Sequence, residues 1–158
     1  MKLSTQEEYG LRCLLQLART ETASLTIPEL SRREGMSAAN VGKMMRVLRR
    51  TGFVRSIRGQ AGGYALARPA DQMVVGDVLA ALGGRVFDAR FCERHAGVEN
   101  SCLHLRDCSI RPVLRHVQEA VDQVLAELTL KSLLRTELEM TAAIGPRSIP
   151  LRMAARPS

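Results

Sequence analysis

Three of the four cysteines, Cys92, Cys102 and Cys108, fall within seventeen residues, in the stretch FCERHAGVENSCLHLRDCSIRP. Nine and five residues separate them, and no Cys-x-x-Cys pair occurs. Structural zinc sites are usually assembled from knuckles with two to four residues between ligands, so this spacing argues against zinc. A polynuclear iron-sulfur cluster is wider than one ion, and loop-borne thiolates at irregular spacing can each reach a separate corner of it. Arg90, Arg94, Arg106 and Arg111 surround the cysteines and would offset the negative charge of such a centre. Cys108 also precedes a predicted helix start at Ser109 and Pro112, where the helix dipole favours an anionic sulfur. Three thiolates leave a cluster one protein ligand short. His95 and His104 lie in the loop, and Glu7 and Glu8 open the first helix; spacing alone does not choose among them. Cys13 falls on an apolar helix face and reads as a buried core thiol.

These residues need a scaffold, and the composition says which kind. The chain has 158 residues, 46% of them hydrophobic and only 3% aromatic. Aliphatic side chains without Trp favour packed helices over a sandwich or barrel, so the expected class is mainly α. Residues 5–19 place Tyr9, Leu11, Cys13, Leu14, Leu15, Leu17 and Ala18 on one face of a first helix. A short helix over about 28–34, with Thr26 or Ile27 as the cap before Pro28, stops at Gly35. Ser37 then caps a basic helix carrying Val41, Met44, Met45 and Leu48 at helical spacing up to Gly52. Short helix, glycine turn and capped basic helix make a helix-turn-helix. FVRSI and YALA alternate in the strand manner around RGQAGG, which adds a two-stranded wing. The expected fold is therefore a winged helix-turn-helix.

Beyond Pro69 a helix is expected over about 75–82, then the cysteine stretch. After Pro112 a long helix places Leu114, Val117, Val121, Val124 and Leu128 on one seam about 25 Å long. Such a stripe needs a partner helix. LKSLLRTELEM is expected to fold back on the body, and the aperiodic tail from Gly145 to be disordered. The organisation expected is residues 1–83 as the winged-helix domain, 84–111 as the cysteine-rich cluster-binding loop, 112–140 as dimerisation helix and return segment, and 141–158 as tail.

The formal charge is +7, and between Arg32 and Arg58 eight basic residues face the single acid Glu34. A basic stripe on a winged helix points to double-stranded DNA. Ser37, Asn40 and Lys43 take the groove-facing positions of the second helix, with Arg46, Arg49 and Arg50 as phosphate anchors. Arg58 at the wing tip is placed for a minor groove. The first ten residues have no apolar signal region and nowhere do eighteen apolar residues run together, so a cytoplasmic protein without a membrane partner is expected. RGQAGG lacks the Gly-Lys-Ser/Thr of a phosphate loop, and no nucleophile with a base or dinucleotide fingerprint occurs. That leaves little support for an enzyme, the distant alternative being a metal-dependent redox enzyme.

MKLSTQEEYGLR, SIRGQAGGYALARP and the three cysteines before an amphipathic helix together closely resemble the IscR/NsrR/RirA group of transcription regulators, the Rrf-two superfamily, from Met1 to about Leu134. The resemblance implies a homodimer that reads a pseudo-palindromic operator, a long crossing dimerisation helix, and an iron-sulfur cluster, 2Fe-2S or 4Fe-4S, that senses redox state, nitric oxide or iron and cluster status. Cys92, Cys102 and Cys108 match the family's cluster cysteines. IscR-like members complete the site with a histidine three residues after the last cysteine, where this chain has Arg111. NsrR-like members use an acid of the first helix of the opposite subunit, and Glu8 matches that position. The resemblance therefore favours Glu8 as fourth ligand, with His104 second. The first cysteine gap is longer than the family's common one, and Gly42 stands where many members carry a glutamate in the recognition helix. A cluster-free thiol-based or zinc-binding regulator on the same fold is the main alternative.

Overall fold

The structure is a computed structural model describing residues 4–20, 24–59, 62–83, 85, 87, 104 and 107–145. Local chemistry sets the first three helices. Helix α1, Thr5–Arg19, begins with a capping box in which Ser4 and Glu7 bond each other's backbone N–H groups. Helix α2, Ile27–Glu34, repeats the device with Thr26 and Glu29 and has proline in its first turn. It stops at Gly35, whose φ of 63° is the left-handed conformation that glycine adopts without penalty. Helix α3, Ala38–Arg50, follows from the cap of Ser37. Each buries its apolar stripe: Cys13, Leu14 and Leu17 from α1, Leu30 from α2, and Val41, Met44, Met45 and Leu48 from α3. A Leu or Met side chain so enclosed contributes roughly 1.5–3 kcal/mol through apolar burial.

Strands β1, Val54–Ile57, and β2, Gly63–Leu66, pair antiparallel with Val54 opposite Leu66 and Ile57 opposite Gly63. Leu25, in the α1–α2 connection, adds a bridge to Tyr64 through N–H···O bonds of 2.9 and 2.8 Å. This bridge explains one glycine of the wing: a Cβ at Gly63 would stand 2.6 Å from the Leu25 carbonyl oxygen. The predicted winged helix-turn-helix is present, and the described residues are mostly helical.

After a single 3-10 turn at Ala70–Gln72 come α4, Val75–Leu82, and α5, Ile110–Ala126. Two details of the long helix differ from the sequence expectation. It begins at Ile110, with Pro112 inside a first turn whose N–H groups have no intrahelical acceptor anyway. It ends at Ala126, so Leu128 is not on the seam; its carbonyl accepts the Val75 N–H at 2.8 Å. The chain then runs back along residues 70–75, with Leu130 N–H donating to Met73 O and Lys131 N–H to Ala70 O. Leu130 is fully buried in the same core as Met45, Leu48 and Met73. The expected fold-back of LKSLLRTELEM is thus a strap that completes the winged-helix core. A 3-10 turn, Ser132–Leu134, leads to α6, Glu137–Ile144, which takes in residues 141–144 that the sequence reading gave to the tail. Residues 146–158 lie outside the described residues.

Candidate nucleic-acid interface and thiol site

Once α3 has buried its apolar stripe, its other face is left to polar and basic side chains. Asn40, Lys43, Arg46, Arg49 and Arg50 are all exposed. Ser37 is exposed too, but its hydroxyl already accepts the Asn40 N–H at 3.3 Å as the helix cap. Lys43, Arg46, Arg49 and Arg50 line one open pocket together with Val47. Arg46 folds back one turn, its Nε donating to the Gly42 carbonyl at 3.3 Å. Arg58 is exposed just past β1, and Arg55 projects from that strand. Arg32 and Arg33, which the sequence reading counted as charge without assigning a role, line a second open pocket with Glu29. By contrast Arg68 is held over the Phe53 ring, 5.1 Å from its centroid. The turn at Gly35 sets α2 against α3, so cations of both helices and the wing belong to one body, an arrangement suited to phosphates on a duplex.

The sulfur chemistry falls elsewhere. Cys92, Cys102 and His95 lie outside the described residues. Cys108 is a half-buried free thiol two residues before α5, and Ser109 forms no side-chain cap there. The N–H groups of that first turn favour an anionic neighbour. His104 is exposed, and its carbonyl accepts a bond from the Arg111 guanidinium at 3.4 Å. Cys13 is sealed in the core: burial first, and the Glu34 carboxylate second, push its thiol up to about 12. The reading of Cys13 as a core thiol agrees with this environment.

The two acids of α1 separate clearly. Glu7 is committed to the capping box, its carboxylate accepting the Ser4 N–H at 2.7 Å. Glu8 faces outward, and Arg12 one turn on donates to it from Nε at 3.0 Å and pairs from the guanidinium at 2.9 Å. Arg12 also lies 3.8 Å from Glu34, the last residue of α2, whose other oxygen accepts the Gln16 amide at 2.5 Å. Arg12 therefore stands between the candidate ligand and the turn of the helix-turn-helix. Sequence reasoning passed over Arg12 and Gln16; their signal is i, i+4 spacing from Glu8 through Arg12 to Gln16.

Helix α5 divides its faces between the body and solvent. Leu114, Val121 and Leu125 are partly buried toward the body, while Ile110, Val113, Val117 and Val124 form the exposed apolar stripe. The outward seam is thus shifted from the one expected, sharing only Val117 and Val124 with it. Gln118, among the inward residues, is buried. Its Oε1 accepts the Phe87 N–H at 3.0 Å, and its Nε2 donates to Asp122 at 2.8 Å. Asp122 in turn pairs with Arg85 at 3.5 Å. At the other end of this connection Gln6 of α1 donates to the Leu82 carbonyl. No helix among the described residues is long and apolar enough to cross a membrane.

With this geometry in view, the likeness to known proteins is consistent at every level. The family model for Rrf2, described as an iron-dependent transcriptional regulator, matches residues 3–136. Protein rrf2 of Nitratidesulfovibrio vulgaris Hildenborough is 34% identical over 137 residues, covering 85% of this chain and 88% of that one. The transcriptional regulator IscR of Klebsiella pneumoniae strain 342 is 29% identical over 138 residues, covering 87% and 82%. Among solved structures, CymR, the global cysteine regulator of B. subtilis, superposes with a TM-score of 0.67 at 26% identity over 85% of this chain and 96% of that one. T. potens IscR gives 0.66 at 27% identity, with 90% of each chain covered. These relatives are transcriptional regulators, not enzymes. The chain belongs to the Rrf2 family of DNA-binding transcriptional regulators.

Proposed function

We propose that this protein is a homodimeric transcription regulator whose operator affinity is set by an iron-sulfur centre held on Cys92, Cys102 and Cys108, with Glu8 of the other subunit as fourth ligand. The donor set fits such a group: a half-buried thiol at an uncapped helix start, and an exposed carboxylate on a helix whose other first-turn acid is already committed. When bound, the cluster supplies one-electron chemistry and an inorganic core that oxygen or nitric oxide attacks. His104 is the second choice for the fourth position. Residues 1–83 would read DNA, 84–111 hold the centre, and 112–140 assemble the dimer and return to the body.

The observation that carries the reading is Arg12, shared between Glu8 and Glu34. Were Glu8 to hold the group, Arg12 would lose its nearer carboxylate and be left to Glu34 at the end of α2. When Glu8 is free, Arg12 is divided between them. This alters the charge at the turn that sets α2 against α3. A two-fold reader needs half-sites about one helical turn apart, so a small shift between subunits removes much of its specific affinity. Self-association is supported by the exposed stripe of α5.

On the DNA side, Asn40 and Lys43 would face base edges, Arg46, Arg49 and Arg50 phosphates, and Arg58 the minor groove, with the Ser37 hydroxyl serving first as cap. A second reading is a cluster-free thiol sensor. The likeness to a global cysteine regulator supports it. Anaerobic purification with absorption spectroscopy and iron and sulfide counting tests both, on wild type and on Glu8→Ala, His104→Ala and Cys102→Ala. The cluster reading expects a coloured wild type, loss of the centre in Cys102→Ala, and a weakened centre in Glu8→Ala but not His104→Ala. A colourless protein lacking iron and sulfide that still releases operator on oxidation would establish the thiol sensor instead.

A further inference from the structure

Glu34, the single acid between Arg32 and Arg58, is poorly placed for its charge. It is the last residue of α2, and a carboxylate at a helix C-terminus opposes the helix dipole. Its side chain is only 9% exposed, so it is also largely desolvated, a cost that an apolar residue would not incur. A carboxylate so enclosed needs partners, and the two it has both lie on α1. One oxygen accepts the Gln16 amide at 2.5 Å, and the other lies 3.8 Å from the Arg12 guanidinium. We propose that Glu34 is a positioning residue for DNA reading: bonded to Gln16, it sets the angle at which the turn and α3 leave α1. The role needs only the DNA-binding function of the family, and holds with or without a cluster.

The turn itself is fixed from within. The N–H groups of Gly35 and Met36 both bond the Ser31 carbonyl, the second at 3.1 Å, and the Ser31 hydroxyl donates to the Met36 carbonyl. Residues 31–36 are thus tied into one unit, and Ser37, which caps α3, follows directly. How that unit sits on α1 is a separate matter. Leu30, Met36 and Val41 share one apolar core with Leu14 and Leu17, and apolar packing is non-directional. A hydrogen bond weakens steeply off its axis, so the bond from Gln16 to Glu34 fixes rotation as well as proximity. Glu34 lies three residues before Ser37, so a rotation there is delivered to the groove-facing end of α3.

Charge and position make opposite predictions. As charge alone, Glu34 repels phosphates, and its removal should strengthen binding to any duplex. As a positioning residue, its removal should weaken binding to a matched site only, because base reading needs α3 seated in the groove while phosphate contacts tolerate displacement. A matched duplex is selected from a random pool by the full-length wild-type protein. Each variant is then titrated by fluorescence anisotropy on it and on an unrelated duplex of equal length, at one ionic strength and equal metal content. Glu34→Leu should bind the matched duplex about tenfold more weakly, the size of one misread base pair, and the unrelated duplex no more weakly than wild type. Gln16→Leu breaks the same bond from the α1 side and should lose about as much preference, whether or not Glu34→Leu folds. Glu34→Gln keeps an acceptor for Gln16 and should hold the preference within about twofold of wild type. Undiminished preference in either leucine variant that folds overturns the proposal. So does a loss of both affinities together with the thermal midpoint, the mark of a merely structural bond, and so does a Glu34→Gln variant as impaired as Glu34→Leu.

Discussion

Helices α3 and α5 are both amphipathic, yet they use their apolar stripes in opposite ways. Val41, Met44, Met45 and Leu48 of α3 are enclosed by the chain's own body, and its remaining face is basic. On α5 the only buried residue is a glutamine, while Ile110 and Val113 stand more than 60% exposed. Helical periodicity is the same signal in both. What differs is how the stripe is covered: by the chain's own core for α3, and not by the described residues for α5. Helix α3 is packed into the core and turns its charge outward, while the long helix leaves apolar surface exposed.

That contrast can be broken at either end. The largest effect is expected from Leu48→Ala, which should lower unfolding free energy by about 2–5 kcal/mol in urea titrations, because it opens a cavity in a closed core. Val113→Asp should act mainly on assembly. Its cost is the burial of one apolar side chain, about 1.5–3 kcal/mol, seen by analytical ultracentrifugation as dissociation at concentrations where wild type remains associated. If Val113→Asp instead lowers stability of the isolated chain as much as Leu48→Ala, the contrast between the two helices is wrong. Arg46→Ala and Arg58→Ala should leave folding intact and each weaken operator binding by about tenfold, with the salt slope reduced by about one per lost phosphate contact. A fluorescence anisotropy titration at several ionic strengths reads both quantities.

The cysteines repeat the contrast on a smaller scale. Cys13 is sealed within α1, whereas Cys108 is a half-buried thiol before α5. Because folding holds Cys13 protonated up to about 12 against an ordinary 9.0, the unfolded chain sheds that proton first as pH rises. Stability contributed below pH 9.0 should therefore decline between 9.0 and about 12, and Cys13→Ala should flatten that alkaline arm of a thermal-denaturation series. In the native protein at neutral pH, Cys108 should alkylate while Cys13 does not.

Much of the body was legible because its signals are local. Helix α1 runs over 5–19 and α4 over 75–82 as the periodicity predicts, and Thr26, Ser37 and Gly35 act where their caps and turn were expected. The end of α5 was not legible: apolar spacing carries through Leu128, but backbone bonding to Val75 draws that residue out of the helix. The outward stripe was displaced for the same reason, since only the packed body decides which aliphatic side chains it takes. Gln118 escaped notice because a polar residue scores as surface. Its position beside Leu114, Val121 and Leu125 was the available hint. For the candidate site, the cysteines and Glu8 could be named from spacing and resemblance, but the link through Arg12 to Glu34 joins residues distant in sequence and needed the fold.

The buried Leu130 has a consequence for how this protein is made. Its side chain fills the winged-helix core from a position far beyond the wing. During synthesis, the DNA-reading unit cannot complete its core until residue 130 has cleared the ribosome, so reader and long helix mature together. A fragment ending at residue 83 would lack that side chain, and a chimera grafting another sensor behind this wing would have to bring an equivalent strap.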